Sequence, residues 1–149
     1  MKSPRRRAHG FTLLELIAVL LLLGLVYALA GPALAPGPTS IEVKAAARQL
    51  AAGLRKARGT AIGGQRDAVL TLGVESREFS VSGDPRKYKL PDRIGLAMFT
   101  AQAEAVSGKT GGIRFFADGS STGGRITVSG DTTTLEIDVD WVTGRVKIL

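Results

Sequence analysis

Cysteine is absent from this chain of 149 residues, and histidine occurs once, at His9. Without cysteine the chain can form no disulfide, thiolate metal site or thiol nucleophile. Histidine is the side chain that titrates nearest neutrality, so its scarcity leaves few routes to general acid and base chemistry. Internal repeats and low-complexity tracts are also absent. These absences argue against an enzyme, and we expect neither a cofactor nor a metal ion.

The formal charge is +7, from 20 lysines and arginines against 13 acids. Four of the positive charges belong to Lys2, Arg5, Arg6 and Arg7, which leaves +3 for the rest of the chain. Positive residues ahead of an apolar segment hold that end in the cytoplasm. Much of the basic character is therefore a topology signal.

A long apolar run covers residues 11–30, in which Glu15 is the only charged residue. A membrane-spanning helix needs about 20 such residues. Because the apolar core of a secretory signal is usually only about 7 to 15 residues long, the run favours an anchor. Ala28-Leu29-Ala30 is nevertheless a small-x-small sequence, so signal cleavage remains an alternative.

Glu15 lies inside this run, where an ionised side chain costs a few kcal/mol unless it has a partner. Cleavage between Gly10 and Phe11 would create a positive amine one helical turn before the acid. The acid of one subunit could then pair with the amine of the next, and Glu15 would set the register of assembly. The alternative is an acid near the membrane boundary that snorkels or is protonated.

A second helix is predicted after the prolines. Pro32 should kink the chain and Pro36 should break the first helix. Thr39 and Glu42 have capping-box spacing, and Gly63-Gly64 should end the helix. Its apolar stripe comprises Ile41, Val43, Ala46, Ala47, Leu50, Leu54, Ala57 and Ala61. Its other face carries Lys44, Arg48, Arg55, Lys56 and Arg58, which we interpret as a solvated face rather than a phosphate-binding surface.

From Arg66 onward short strands are predicted between turn residues. Residues 101–112 are predicted to be a polar loop, and Ser107-Gly108-Lys109-Thr110 lacks the context of a phosphate loop. The expected strands are 67–72, 78–82, 93–99, 112–116, 125–128, 135–141 and 145–149. The alternation in 135–141 puts Leu135, Ile137, Val139 and Trp141 on one face. The acids Glu136, Asp138 and Asp140 lie on the other face, and Thr143-Gly144 is predicted to turn the chain so that they could meet Arg145 and Lys147.

The segment 118–124, Asp-Gly-Ser-Ser-Thr-Gly-Gly, could in principle hold calcium or phosphate. One carboxylate is too few for calcium, and no helix follows to receive an anion. We therefore interpret it as a glycine-dependent turn, and the acid row as the solvated face of a strand. The predicted fold class is α+β, with a long N-terminal helix packed on a C-terminal antiparallel domain.

The residues of the junction resemble a known family. Arg5-Arg6-Arg7-Ala8-His9-Gly10 followed by Phe11-Thr12-Leu13-Leu14-Glu15 resembles the class III leader of type IV pilins and type II secretion pseudopilins. The resemblance implies that a prepilin peptidase cuts after Gly10 and methylates the amine of Phe11. It also implies a pilin-like, two-sheet form of the predicted fold.

Two later segments, 115–124 and 140–146, resemble the C-terminal signature of the GspH branch of the GspH/FimT pseudopilins. This resemblance implies an H-type minor pseudopilin near the tip of a periplasmic type II secretion pseudopilus. The implied partners are the prepilin peptidase, other minor and major pseudopilins, the inner-membrane secretion platform and membrane lipid. The calcium-binding loop expected of the major subunit has no obvious counterpart.

The resulting prediction divides the chain into four parts. Residues 1–10 are a cleaved leader, 11–35 a transmembrane and filament-core helix, 36–64 a kinked continuation helix, and 65–149 a periplasmic β-rich domain. The N-terminus is expected in the cytoplasm and the anchor in the inner membrane. One alternative is a FimT-like minor type IV pilin for pilus assembly or DNA uptake, whose basic residues would contact nucleic acid. Another is an anchored periplasmic enzyme, for which no residues are suitably spaced.

Overall fold

Two helices precede a set of eight strands in the computed structural model, which describes residues 12–30, 39–100 and 110–149. The chain divides after Pro36 into two compact units. The predicted kink at Pro32 and break at Pro36 lie outside the described residues. The predicted division of the chain into four parts stays a prediction.

Helix α1, Leu13–Ala30, belongs to the first unit. Its N-terminus is capped by Thr12, whose Oγ1 accepts a hydrogen bond from the Glu15 backbone N–H at 3.2 Å. The large apolar side chains from Leu13 to Tyr27 are exposed all around the helix. Within the described ranges, no helix combines the length and the apolarity needed to cross a membrane.

Helix α2, Ser40–Gly64, opens the second unit and confirms the predicted capping box. The Glu42 backbone N–H donates to Thr39 Oγ1 at 3.3 Å, and the Thr39 N–H donates to Glu42 Oε2 at 2.9 Å. Because both orphan donors are satisfied, the helix starts sharply. It ends at Gly64 as predicted, although the left-handed residue that closes it is Gln65, with φ 46°.

The apolar stripe of α2 is buried as predicted, with one exception. Ile41 is 76% exposed, and the first buried residue of the helix is Val43. Ala51 and Gly53 join the buried face. A Cβ at Gly53 would lie 2.6 Å from the Phe79 ring, so glycine lets the helix backbone approach the strands closely.

The strands form two antiparallel sheets of four, ordered β3-β2-β1-β5 and β4-β6-β7-β8. Helix α2 contacts three strands of each sheet. The α+β, two-sheet prediction is therefore confirmed. The strands are β1 Ala68–Gly73, β2 Glu78–Val81, β3 Lys87–Lys89, β4 Gly95–Phe99, β5 Thr110–Phe115, β6 Gly124–Ser129, β7 Thr134–Val139 and β8 Val146–Ile148.

Strand β3 was not predicted, and β5 begins inside the segment predicted as a loop. Strand β3 has only three residues and follows turn residues, so its alternation carries little signal. In β5, Gly111 and Gly112 pair with Leu72 and Thr71 of β1. A Cβ at Gly111 would lie 2.8 Å from Met98 Sδ, so here glycine marks a close approach within a strand rather than a loop.

The prediction for Trp141 was wrong. Strand β7 ends at Val139, and Trp141 lies in the following turn with 70% of its surface exposed. The chain leaves the sheet because the Asp140 carboxylate accepts a hydrogen bond from the Thr143 N–H at 2.7 Å, which favours a turn.

The acids of this row form ion pairs with a different cation from the two predicted, Arg145 and Lys147. Lys147 lies opposite Asp138 in the register, but the ion pairs of Asp138 and Glu136 are made by Arg125 of β6, at 3.2 and 3.0 Å. Arg145 meets Asp140 through its backbone carbonyl, which accepts the Asp140 N–H at 3.0 Å. Glu136 and Asp138 thus lie on a partly exposed strand face, whereas Asp140 lies in the turn after the strand.

Candidate functional site

Of the three residues predicted for processing and assembly, the structure describes Glu15. Gly10 and Phe11 lie outside the described residues. Glu15 is exposed in the first turn of α1, and its carboxylate has no side-chain partner among the described residues. Its position is therefore compatible with a partner from another subunit, which remains a prediction.

The two signature segments of the C-terminal half are brought together. Residues 118–123 lie between β5 and β6, Gly124 begins β6, and residues 140–144 form the turn from β7 to β8. The Ser121 N–H donates to the Trp141 carbonyl at 2.9 Å. A Cβ at Gly123 would lie 3.0 Å from the Trp141 Cβ, so the glycine, which has φ 71°, permits this contact.

Asp118, Ser120 and Ser121 form side-chain hydrogen bonds within the loop 118–124. Asp118 Oδ1 accepts hydrogen bonds from the Ser120 hydroxyl and N–H at 2.6 and 2.9 Å, and these bonds lower the pKa of Asp118. Ser121 is buried, and its Oγ accepts the Gly123 N–H at 2.8 Å. The hydroxyls and the acid are thus used to shape the turn, as interpreted from the sequence. In the described part of the chain, no group of three potential metal ligands occurs.

The turn 140–144 is built in the same way. Asp140 Oδ1 accepts the N–H and the hydroxyl of Thr143 at 2.7 and 2.8 Å, and these bonds lower the pKa of Asp140. The Gly144 N–H donates to the Asp140 carbonyl at 2.8 Å, and Gly144 has φ 61°. Both turns therefore depend on an aspartate at their start and on a glycine with positive φ.

Arg58 of α2 lies between the two turns. Its Nε donates to the Gly119 carbonyl at 3.1 Å. A Cβ at Gly144 would lie 2.2 Å from the Gly119 oxygen and 2.9 Å from Arg58 Nε. The three segments meet where only glycine fits. We call the contact of Arg58, Gly119 and Gly144 the arginine joint.

Two more cations from the basic face of α2 also contact the domain. Arg55 Nη2 donates to the Val146 carbonyl of β8 at 3.4 Å. Lys56 forms an ion pair with Asp84, whose side chain is only 4% exposed. Asp84 also accepts the Tyr88 hydroxyl at 2.7 Å, and the contacts with Lys56 and Tyr88 lower the pKa of the Asp84 carboxyl. The interpretation of this face as merely solvated was thus incomplete.

An open cavity of about 530 Å³ borders the same turns. Its rim carries Trp141 and Phe99, which is 77% exposed. Gly123 and Gly124 supply part of its backbone wall, and Arg125 and Asp138 lie beside them as an ion pair. The rim of the cavity is therefore aromatic, and the charges of Arg125 and Asp138 are paired with each other.

Sequence reasoning missed Arg58 and the exposure of Trp141. Arg58 lies 61 residues before its acceptor Gly119. A basic residue beside an apolar stripe gives no sign that a distant carbonyl will be its partner. The only available signal was the pair of Asp-Gly and Thr-Gly sequences, which predicted the turns but not their contact.

Comparison with known proteins identifies the family. Residues 46–144 match the family described as "Type II transport protein GspH", and residues 5–30 match the "Prokaryotic N-terminal methylation motif". The chain belongs to the GspH family. The match includes α2 from Ala46 onward, the arginine joint and both signature turns, and it confirms the resemblance noted in the sequence.

The GspH chain also has a curated relative and solved structural neighbours. It is 32% identical over 143 residues to "Type II secretion system protein H" of Xanthomonas campestris pv. campestris, covering 96% of this chain and 84% of the relative. The minor pseudopilin EpsH of Vibrio cholerae matches with a TM-score of 0.57 and 13% identity, over 72% of this chain and 96% of EpsH.

The type IV minor pilin FimU of Pseudomonas aeruginosa has a similar score of 0.54, with 16% identity over 71% of this chain and 91% of FimU. At these identities the two structures show that the fold is shared.

Proposed function

We propose that this GspH-family chain is the H-type minor pseudopilin of a type II secretion system. It would lie near the tip of a short periplasmic pseudopilus and aid export of folded proteins across the outer membrane. The observation that carries the proposal is the presence, in one chain, of a methylation motif at 5–30 and a GspH domain at 46–144. The curated relative is named as a secretion protein and supports this function over a pilus.

The proposed processing follows from the junction. A prepilin peptidase would cut after Gly10 and methylate the new amine of Phe11, and the match to the methylation motif supports this. Glu15 would then pair with the Phe11 amine of a neighbouring subunit. Its exposed position in the first turn of α1 leaves the carboxylate accessible for that pairing.

The proposed location is the inner membrane, with a single pass, a cytoplasmic N-terminus and a periplasmic domain. The apolar run from Phe11 to Ala30 and the positive residues before it support this topology. The exposed apolar surface of α1 needs a nonaqueous environment, which lipid or the helices of neighbouring subunits would supply. The boundaries 1–10, 11–35, 36–64 and 65–149 are proposed on the same basis.

The proposed role is structural, and the proposed partners are other pseudopilins and the inner-membrane platform. The polar groups of the signature turns are spent on internal hydrogen bonds, which suits a scaffold better than a catalyst. The DNA-uptake alternative needs free cations. Arg55, Lys56 and Arg58 each donate to a group of the domain, which leaves Lys44 and Arg48 as the exposed cations of α2 without such a bond among the described residues.

Complementation tests the proposal. A host that lacks its own H-type subunit should recover secretion when it expresses the full chain, and the protein should co-purify with the other pseudopilins. Restored pilus function without secretion, or DNA binding that weakens steeply with salt, would favour the FimT-like alternative. Catalytic activity of the purified chain would revive the enzyme alternative.

A further inference from the structure

The arginine joint connects segments that are far apart in sequence. Arg58 lies on α2, Gly119 on the β5–β6 loop and Gly144 on the β7–β8 turn. Gly119 and Gly144 both have positive φ, at 86° and 61°. A side chain on either glycine would be strained and would also come within 3.2 Å of the Arg58 side chain.

The joint is enclosed, because Gly119 and Gly144 are buried and Arg58 is half-buried. An unpaired carbonyl in such a place loses its water without compensation. The charged Nε–H of Arg58 supplies that compensation at 3.1 Å. Removing the donor should therefore loosen the two turns locally.

The β7–β8 turn carries the exposed apolar pair Trp141 and Val142. Its ties to the neighbouring loop are the Ser121 to Trp141 hydrogen bond and the packing of Gly144 on Gly119. Arg58 ties the turn to α2, because its Nε donates to Gly119 and lies close to Gly144. Arg55 of α2 adds a bond to the Val146 carbonyl, two residues after the turn.

We propose that Arg58 is a positioning residue, which holds the Asp140–Gly144 turn, with Trp141 and Val142, in a fixed place on α2. A turn that is fixed beforehand loses less conformational freedom when it contacts a partner. That use in assembly rests on the proposed function, whereas the position of the turn does not.

Hydrogen exchange on the full chain in mild detergent tests the position. In Arg58→Ala, exchange at the amides of Gly119, Ser121 and Gly144 should rise about tenfold or more, because a hydrogen bond from a charged donor is lost. Amides of β1 and β2 should keep their protection. Arg48→Ala is the matched control, since Arg48 is an exposed arginine on the same helix.

Unchanged exchange at the three amides, or an equal rise in β1, would overturn the proposal. A second variant tests whether the parts act together. Gly144→Ala should open the same turn, and adding Arg58→Ala should raise exchange little further, because both changes break one contact. If the two substitutions raised amide exchange additively, the proposal that Arg58 and Gly144 belong to one contact would be wrong.

The absence of native cysteine allows a test in the assembly. Val142→Cys provides a single thiol for cross-linking to partner pseudopilins, and Arg58→Ala in that background should lower the yield severalfold. An unchanged yield, or no cross-link although the protein co-purifies with pseudopilins, would overturn the assembly use of the turn. Failure to co-purify at all would count against the proposed function, while the exchange result would stand.

Discussion

Helices α1 and α2 use apolar residues in opposite ways. Along α1 the apolar side chains surround the whole helix and remain exposed, whereas α2 concentrates them in one stripe that both sheets cover. Charge differs as well, since α1 carries only Glu15 and α2 carries cations that reach across to the sheets. The apolar stripe of α2 is thus buried within its own unit, whereas the apolar surface of α1 is exposed in all directions.

Processing should show the largest effect, because it creates the Phe11 amine that is proposed to pair with Glu15 of a neighbouring subunit. Changing Gly10 to Trp should leave an uncut, membrane-bound precursor, since a bulky side chain would block the peptidase. Mass spectrometry of the purified protein would measure the N-terminus. Gly24→Ala, where an added Cβ has no neighbour within 4 Å, is the control. A Gly10→Trp protein that still began at methylated Phe11 would contradict the processing proposal.

Truncation of a leucine to alanine should give the next largest effect, and the effect should differ between the two helices. Leu50→Ala should lower the free energy of unfolding of the domain by about 2 to 5 kcal/mol, because it empties a fully buried site. Leu20→Ala in α1 is the matched variant, since Leu20 is 60% exposed, and it should cost less than about 0.5 kcal/mol. Urea unfolding in detergent, followed by the fluorescence of Trp141, would measure both. Equal losses would show that the helices do not differ as described.

A substitution at Glu15 tests whether α1 also uses a charge pair between subunits. Glu15→Val should leave membrane insertion intact but lower co-purification with other pseudopilins about tenfold, which corresponds to about 1.4 kcal/mol. The expected reason is loss of the countercharge to the Phe11 amine. Leu14→Val is a neighbouring control in the same turn. Unchanged co-purification of the Glu15→Val protein would count against the register role.

The helix caps should give the smallest effects. Thr39→Ala removes the acceptor of the α2 capping box and should lower the free energy of unfolding by about 1 kcal/mol. Thr12→Ala removes the equivalent acceptor from α1 and should leave the unfolding of the domain unchanged. Thr39→Ser, which keeps a hydroxyl, should restore most of the loss in the same urea experiment. A Thr12→Ala loss as large as that of Thr39→Ala would argue against separate units.

Local patterns predicted most of the fold. The capping box at Thr39 and the period of the α2 stripe are set within a few residues, so the sequence shows them directly. Trp141 was misplaced because alternation predicts a face but not the residue where a strand stops. The Asp140 side chain, which bonds to Thr143, makes that decision. The predicted burial of Ile41 was wrong for a similar reason, since a helical stripe does not reveal how far the sheets extend along the helix.

The candidate site was only partly predictable. The Asp-Gly and Thr-Gly sequences predicted two turns, because their conformations depend on local side-chain bonds and positive φ. Their contact with Arg58 depends on how α2 packs across the ends of strands that lie far along the chain. Such a contact follows from tertiary packing, which no spacing in one sequence encodes.

The edge strands of the two sheets affect whether closely packed copies of the domain can join by strand addition. Among the described strands, the outer strands β3 and β8 have only three residues each, and β3 has a lysine at either end. The outer edge of β5 is occupied at Arg114, whose N–H and carbonyl both bond to Thr122. Short, charged or covered edges discourage strand addition between molecules. Copies of the domain that are held close together are thus discouraged from joining through β3, β5 and β8.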